Sequence, residues 1–179
     1  MRFVITGEWD RNRLLQTIVV LYSLYVGGLW VTNGLLYFAK MGLTPSSVVS
    51  YYRGNEELFL SPRSYAGMLE VAHFHLFAMG MLLLVLTHLM LFVPLRNATK
   101  AWLIALPFLA AALDEGGGWL VRFGHPAFAW LKIAGFLLLQ ASLAALVLIS
   151  LWSVFGGSQR NYASGEPGDA ARGGGGSGT

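Results

Sequence analysis

The chain has 179 residues, 55% hydrophobic and only 12% charged, with a formal net charge of +3 and a mean hydropathy of +0.58. A soluble domain is nearer ~25% charged, so the composition specifies an integral membrane protein built as one small bundle. Cysteine is absent, which excludes disulfides, thiolate metal sites, iron–sulfur clusters and CxxCH haem attachment within the chain; the charge is dispersed, with no basic run to mark a nucleic-acid partner.

The lead through Arg13 is polar, and the apolar run after it is too long for the core of a cleavable signal, so the first span is expected to stay as an anchor. That span is predicted over residues 14–38, with Tyr22, Tyr25 and Trp30 for bulk and Gly27, Gly28 and Gly34 for close helix contact. Residues 40–60 form the only sizeable loop. Within it Thr44-Pro45 reads as a helix cap followed by proline at the first helical position. A short helix, SSVVSYYRG, is expected at the membrane interface, with Tyr51 and Tyr52 at headgroup level. Ser61-Pro62 repeats the start signal for the next helix.

Residues 69–93 are apolar enough to span, yet they hold Glu70, His73, His75 and His88. About 20 apolar residues cross a bilayer, and an ionisable group inside such a span marks a functional site by default. At about 100° per residue, Glu70, His73, Gly80 and His88 share one side and His75 points roughly opposite. The Glu70–His73 face is therefore expected to turn into the bundle or onto a partner, with Gly80 leaving a notch and His75 read as structural.

A basic turn over residues 94–100 leads to a third helix predicted over 99–123. Asp114 and Glu115 lie inside it, followed at once by Gly116, Gly117 and Gly118; the helix either continues through the glycines or breaks there. Gly124-His125-Pro126 is a turn, and a fourth span follows over 127–155. Counting inward from that turn, Lys132 and one of the two acids reach similar depth on antiparallel neighbours, so an ion pair is expected. Residues 1–155 thus form the transmembrane domain, and 156–179 read as a flexible Gly-rich tail. Seven basic residues on the amino-terminal side face four on the other, which predicts both termini in the cytoplasm of a bacterial inner membrane.

Glu70, His73, His75, Asp114, Glu115, Arg122, His125 and Lys132 then converge in the outer half, with His88 the exception near the cytoplasmic end of its helix. One chemistry is haem b, with His73 and His125 as axial ligands, Gly80 or the triple glycine making room, and Lys132, Arg122 or Arg63 pairing the propionates. Another is a non-haem metal ion held by Glu70, His73, Asp114, Glu115 and His125, since Glu-x-x-His puts both groups on one helical face. A third is a packed network in which these groups satisfy one another.

The stretches EVAHFHLFAMGMLLLVLTHL and DEGGGWLVRFGHPAFAWLK resemble a family of proteobacterial four-helix inner-membrane proteins, some of which carry a translation elongation factor label. No GxxxxGK[ST] loop is present to support that label. His73 and His88 also resemble the two-histidine helix of dihaem membrane cytochromes b, although the fourth span has no second histidine to oppose His88. The expectation is an all-α bundle of four transmembrane helices with a short interfacial helix in the first outer loop. It would serve as a small subunit of an electron-transfer complex in the lipid bilayer, binding haem b or quinone near its outer face beside other membrane or periplasmic subunits. The alternative is a non-catalytic anchor. No self-contained catalytic site is visible.

Overall fold

The computed structural model describes residues 13–163, with side chains to residue 155. It is all-α: α1 (Arg13–Lys40), α2 (Pro45–Arg53), α3 (Tyr65–Leu89), α4 (Asn97–Phe123) and α5 (Ala129–Ala163), with short 3-10 turns at Met90–Phe92 and Pro126–Phe128. Among the described residues the only β pairing is an isolated bridge between Asn55 and Leu60. Among the described residues four helices are long and apolar enough to cross a membrane. α5 is the central helix and packs on α1, α2, α3 and α4. Its most apolar stretch is 44% buried inside the protein, against 17% for α1, which is peripheral.

The first loop folds as its capping residues dictate. Thr44 Oγ1 accepts from the Ser47 N–H at 3.4 Å, and Pro45 opens α2. The next helix starts later than Ser61-Pro62 suggests. The Arg63 N–H donates to the Tyr52 carbonyl at 3.0 Å, which ties this stretch back onto α2 in extended form. Ser64 is the cap instead, its Oγ accepting from the Gly67 N–H at 3.1 Å. Gly54 turns the chain out of α2 with φ +85°, and a Cβ there would stand 2.6 Å from the Leu60 carbonyl.

α4 continues unbroken through Gly116, Gly117 and Gly118, which decides between the two readings of that triplet. Glycine costs about 1 kcal/mol against alanine inside a helix, and packing offsets it. A Cβ on Gly117 would lie 2.9 Å from Lys132 Cα, and one on Gly118 2.6 Å from the Tyr52 hydroxyl. From the other side, a Cβ on Gly135 would lie 2.6 Å from the Asp114 backbone nitrogen. Close approach therefore belongs to α4 and α5. In α1, a Cβ on Gly34 would lie 3.2 Å from Gln140 Nε2, but among the described residues nothing lies within 4 Å of a Cβ on Gly27 or Gly28, so these two make no close contact within the chain. α5 runs past residue 155 to Ala163; the remainder of the expected tail, and the polar lead before residue 13, lie outside the described residues.

Among the described residues, two larger apolar clusters and a smaller one around Val19 and Val154 hold the bundle. One of the larger two joins Val26, Leu83, Leu86, Met90, Ala110, Leu139, Leu143 and Leu146. The other, at the end roofed by α2, joins Tyr37, Met41, Val48, Val121, Ala129, Ile133 and Phe136. Leucine, phenylalanine and tryptophan side chains coat the outside, as a helix bundle solvated by lipid requires.

Candidate functional site

Asp114 and Glu115 are consecutive on α4, so their side chains diverge by about 100° and reach different neighbours. Asp114 Oδ1 accepts from Lys132 Nζ of α5 at 2.6 Å, with both side chains largely buried. Glu115 Oε2 lies 3.2 Å from His75 Nδ1 of α3. A carboxylate only accepts, so Nδ1 is the donor in this contact. The two acids thus tie α3, α4 and α5 together at one depth.

These pairs line a cavity of about 270 Å³ whose walls come from all five helices. Tyr37 and Phe136 stack at 3.7 Å between ring centroids on its apolar side, and Lys132 Nζ stands 6.0 Å from the centre of the Tyr37 ring. α2 contributes Tyr51 and Tyr52. The Arg63 guanidinium covers the Tyr51 ring at 4.1 Å, and Arg122 Nε donates to the Arg63 carbonyl at 2.7 Å, which fixes this edge. Burial pushes the Tyr52 phenol above its ordinary value, and the Asp114 carboxylate adds to the shift. A second cavity of about 160 Å³ has Met79, Gly80, Leu83, Phe108 and Leu139 in its walls. Asn33, His75, Asp114 and Glu115 line both cavities.

Two features make the larger cavity more than a packing gap. The Tyr37 side chain is buried, at 6% exposure, and its hydroxyl makes no hydrogen bond to the protein. Buried polar atoms are nearly always bonded, so this donor is available to a ligand. The His75 side chain is 51% exposed, so the cavity wall opens through the flank of α3.

The predicted site residues divide. Asp114, Glu115 and Lys132 come together, and Gly80 joins the adjoining cavity. Glu70, His73, His88 and His125 are exposed and line neither cavity. His125 Nδ1 accepts from the Ala127 N–H at 3.2 Å and caps the 3-10 turn; the His73 and His88 rings rest edge-on against Phe74 and Phe92. The expected axial pair, His73 and His125, is thus not directed at a common cavity. The expected metal set is not assembled either: among the described residues no group of three or more His, Asp or Glu is placed to hold a metal ion. Arg122 positions the loop before α3 rather than lining the cavity.

The helical wheel separates His73 from His75, but the inward side of α3 is the side read as structural. The signal for it is the run Met68, Ala72, His75, Met79, Leu83, Leu86, spaced by three and four, of which all but His75 and Met79 are buried. Tyr37 was also missed; it lies one turn beyond Asn33, whose Nδ2 donates to Gln140 Oε1 of α5 at 3.5 Å, and a tyrosine so placed inside an apolar span carries the hint.

The site is therefore a polar cavity built inside a multi-pass helical membrane protein. Residues 42–161 match the family described as a transmembrane helical domain; the match covers well over half of the chain, which belongs to that family. It takes in α2, α3, α4 and α5 as far as residue 161, with Tyr52, His75, Asp114, Glu115 and Lys132, and leaves α1 with Tyr37 outside. No curated protein and no solved structure matches the chain.

Proposed function

We propose that the larger cavity binds the head of a lipid-soluble quinone, and that the chain is a small integral subunit of an electron-transfer complex. The observation that carries this reading is the unbonded Tyr37 hydroxyl in a cavity that also holds the His75–Glu115 pair. A quinone ring offers two opposed carbonyls that need hydrogen-bond donors, an apolar face that packs on aromatic rings, and a tail that stays in lipid. Tyr37 supplies a donor, Phe136 and Tyr52 supply aromatic surface, and the opening beside His75 gives the tail a route out. The volume, about 270 Å³, lies just below the ~300–1,000 Å³ usual for drug-sized ligands, which suits a head group alone.

The chemistry balances with a partner. A quinone takes two electrons and two protons to become a quinol. The electrons come from a redox centre on another subunit, and the two protons come from water, relayed to the ring oxygens by His75, which takes each one up at Nε2 while Glu115 holds its Nδ1 side. In this reading the membrane is a bacterial inner membrane with both termini in the cytoplasm, by the bias of basic residues, and the cavity opens near the outer leaflet.

The test is equilibrium binding of a short-chain ubiquinone to the full chain in lipid nanodiscs. The wild type should bind saturably. Tyr37→Phe and His75→Ala should each weaken binding about tenfold, the equivalent of ~1.4 kcal/mol, while His73→Ala should leave it unchanged. No saturable binding by the wild type, or equal binding by all variants, would overturn the proposal.

A further inference from the structure

The lipid-facing side of α3 has a pattern that the cavity does not explain. Glu70, His73, Phe77, Met81, Leu84 and His88 fall within about 80° on the helical wheel, and all six are exposed. Phe77, Met81 and Leu84 are 73%, 50% and 58% exposed. The contacts of α3 with α4 and α5 run through its other side, where Met68, Ala72, Leu83 and Leu86 are buried.

Depth makes this pattern costly. Tyr65, at the start of α3, packs edge-on against Trp119 and Phe123, an aromatic group of the kind that sits at headgroup level. At 1.5 Å per residue, Glu70 stands about 7 Å and His73 about 12 Å further along the helix than Tyr65. Ionisable groups at such depth almost always face protein or a wet cavity, because facing hydrocarbon costs several kcal/mol.

We infer that this face of α3 is covered by the same face of a second copy of the chain, in a parallel two-fold dimer. The face carries its own complement. Glu70 and His73 lie one turn apart on the same side, an acid and a base. A two-fold axis along the membrane normal places each Glu70 opposite the partner copy's basic position, and each basic position opposite a Glu70. An isologous interface has this reciprocity by construction. Below the polar pair, Phe77, Met81 and Leu84 supply an apolar seam, and His88 closes it at the far end. The dimer does not rest on the quinone reading, since none of these six residues lines the larger cavity.

The experiment is disulfide scanning in native membranes, helped by the absence of any cysteine in the chain. Phe77→Cys and Met81→Cys should cross-link to dimers under mild oxidation, and Leu24→Cys, equally exposed on α1, should not. Light scattering in detergent gives a second readout that needs no thiol. Glu70→His and His73→Glu should each lower the dimer fraction at least tenfold, and the double exchange should restore it. A monomeric wild type, a stable one-to-one assembly with a different protein, or cross-linking that ignores the face would each overturn the dimer.

Discussion

Asp114 and Lys132, which meet at 2.6 Å, each pack against a glycine of the other's helix. Gly117 lies one turn beyond Asp114 and makes room for the Lys132 backbone; Gly135 lies one turn beyond Lys132 and makes room for the Asp114 backbone. The arrangement is reciprocal, so the close approach that the glycines permit brings the two charged groups within direct hydrogen-bond reach. Gly117→Ala and Gly135→Ala should each force α4 and α5 apart and cost about 1–3 kcal/mol. Gly116 has nothing within 4 Å of a Cβ, so Gly116→Ala should be neutral or stabilise by up to ~1 kcal/mol. Thermal unfolding in detergent of the three variants checks this ordering.

Removing one member of the ion pair should be worse than removing both. Lys132→Met leaves the Asp114 carboxylate buried and unpaired, which should cost about 3–5 kcal/mol. Combining it with Asp114→Leu replaces two charges by apolar groups and should recover most of that loss. A double variant as unstable as Lys132→Met alone would show that the cost comes from packing.

Tyr52 predicts an alkaline loss of stability. Its folded-state pKa is raised above the ordinary 10.0, so the fold favours the protonated phenol. The contribution is complete below pH 10.0 and is lost as pH rises further, because the unfolded chain then ionises freely while the folded one does not. Melting temperatures of the wild type should therefore fall more steeply above about pH 10 than those of Tyr52→Phe. Parallel curves for the two proteins would contradict the assignment.

Much of the fold is legible in the sequence because its strongest signals are one-dimensional. Apolar runs fix the four spans, and Thr44-Pro45 fixes the start of α2. The Asp114–Lys132 pair follows from counting residues inward from the Gly124-His125-Pro126 turn. What is not legible depends on partners far along the chain. Ser61-Pro62 is a sound start signal, overridden by the Arg63 hydrogen bond to Tyr52. The glycine triplet stays helical because Lys132 and Tyr52 pack where side chains would be. The inward face of α3 is the hardest to read. In a bilayer both faces of a helix meet apolar surroundings, so apolarity alone does not tell core from lipid, and His75 exchanged roles with His73.

The proposed seat of the quinone head in the larger cavity is tested most directly by photo-cross-linking. The full chain in native lipid is irradiated with an azido-quinone, digested, and the labelled peptides are sequenced. Label should fall on the segments holding Tyr37, Tyr52 and His75, be displaced by excess short-chain ubiquinone, and fall sharply in Tyr37→Phe. Label confined to exposed α3 positions such as Phe74 and Phe77, unaffected by competitor, would mean that the quinone is only dissolved in the surrounding lipid, and would contradict the account.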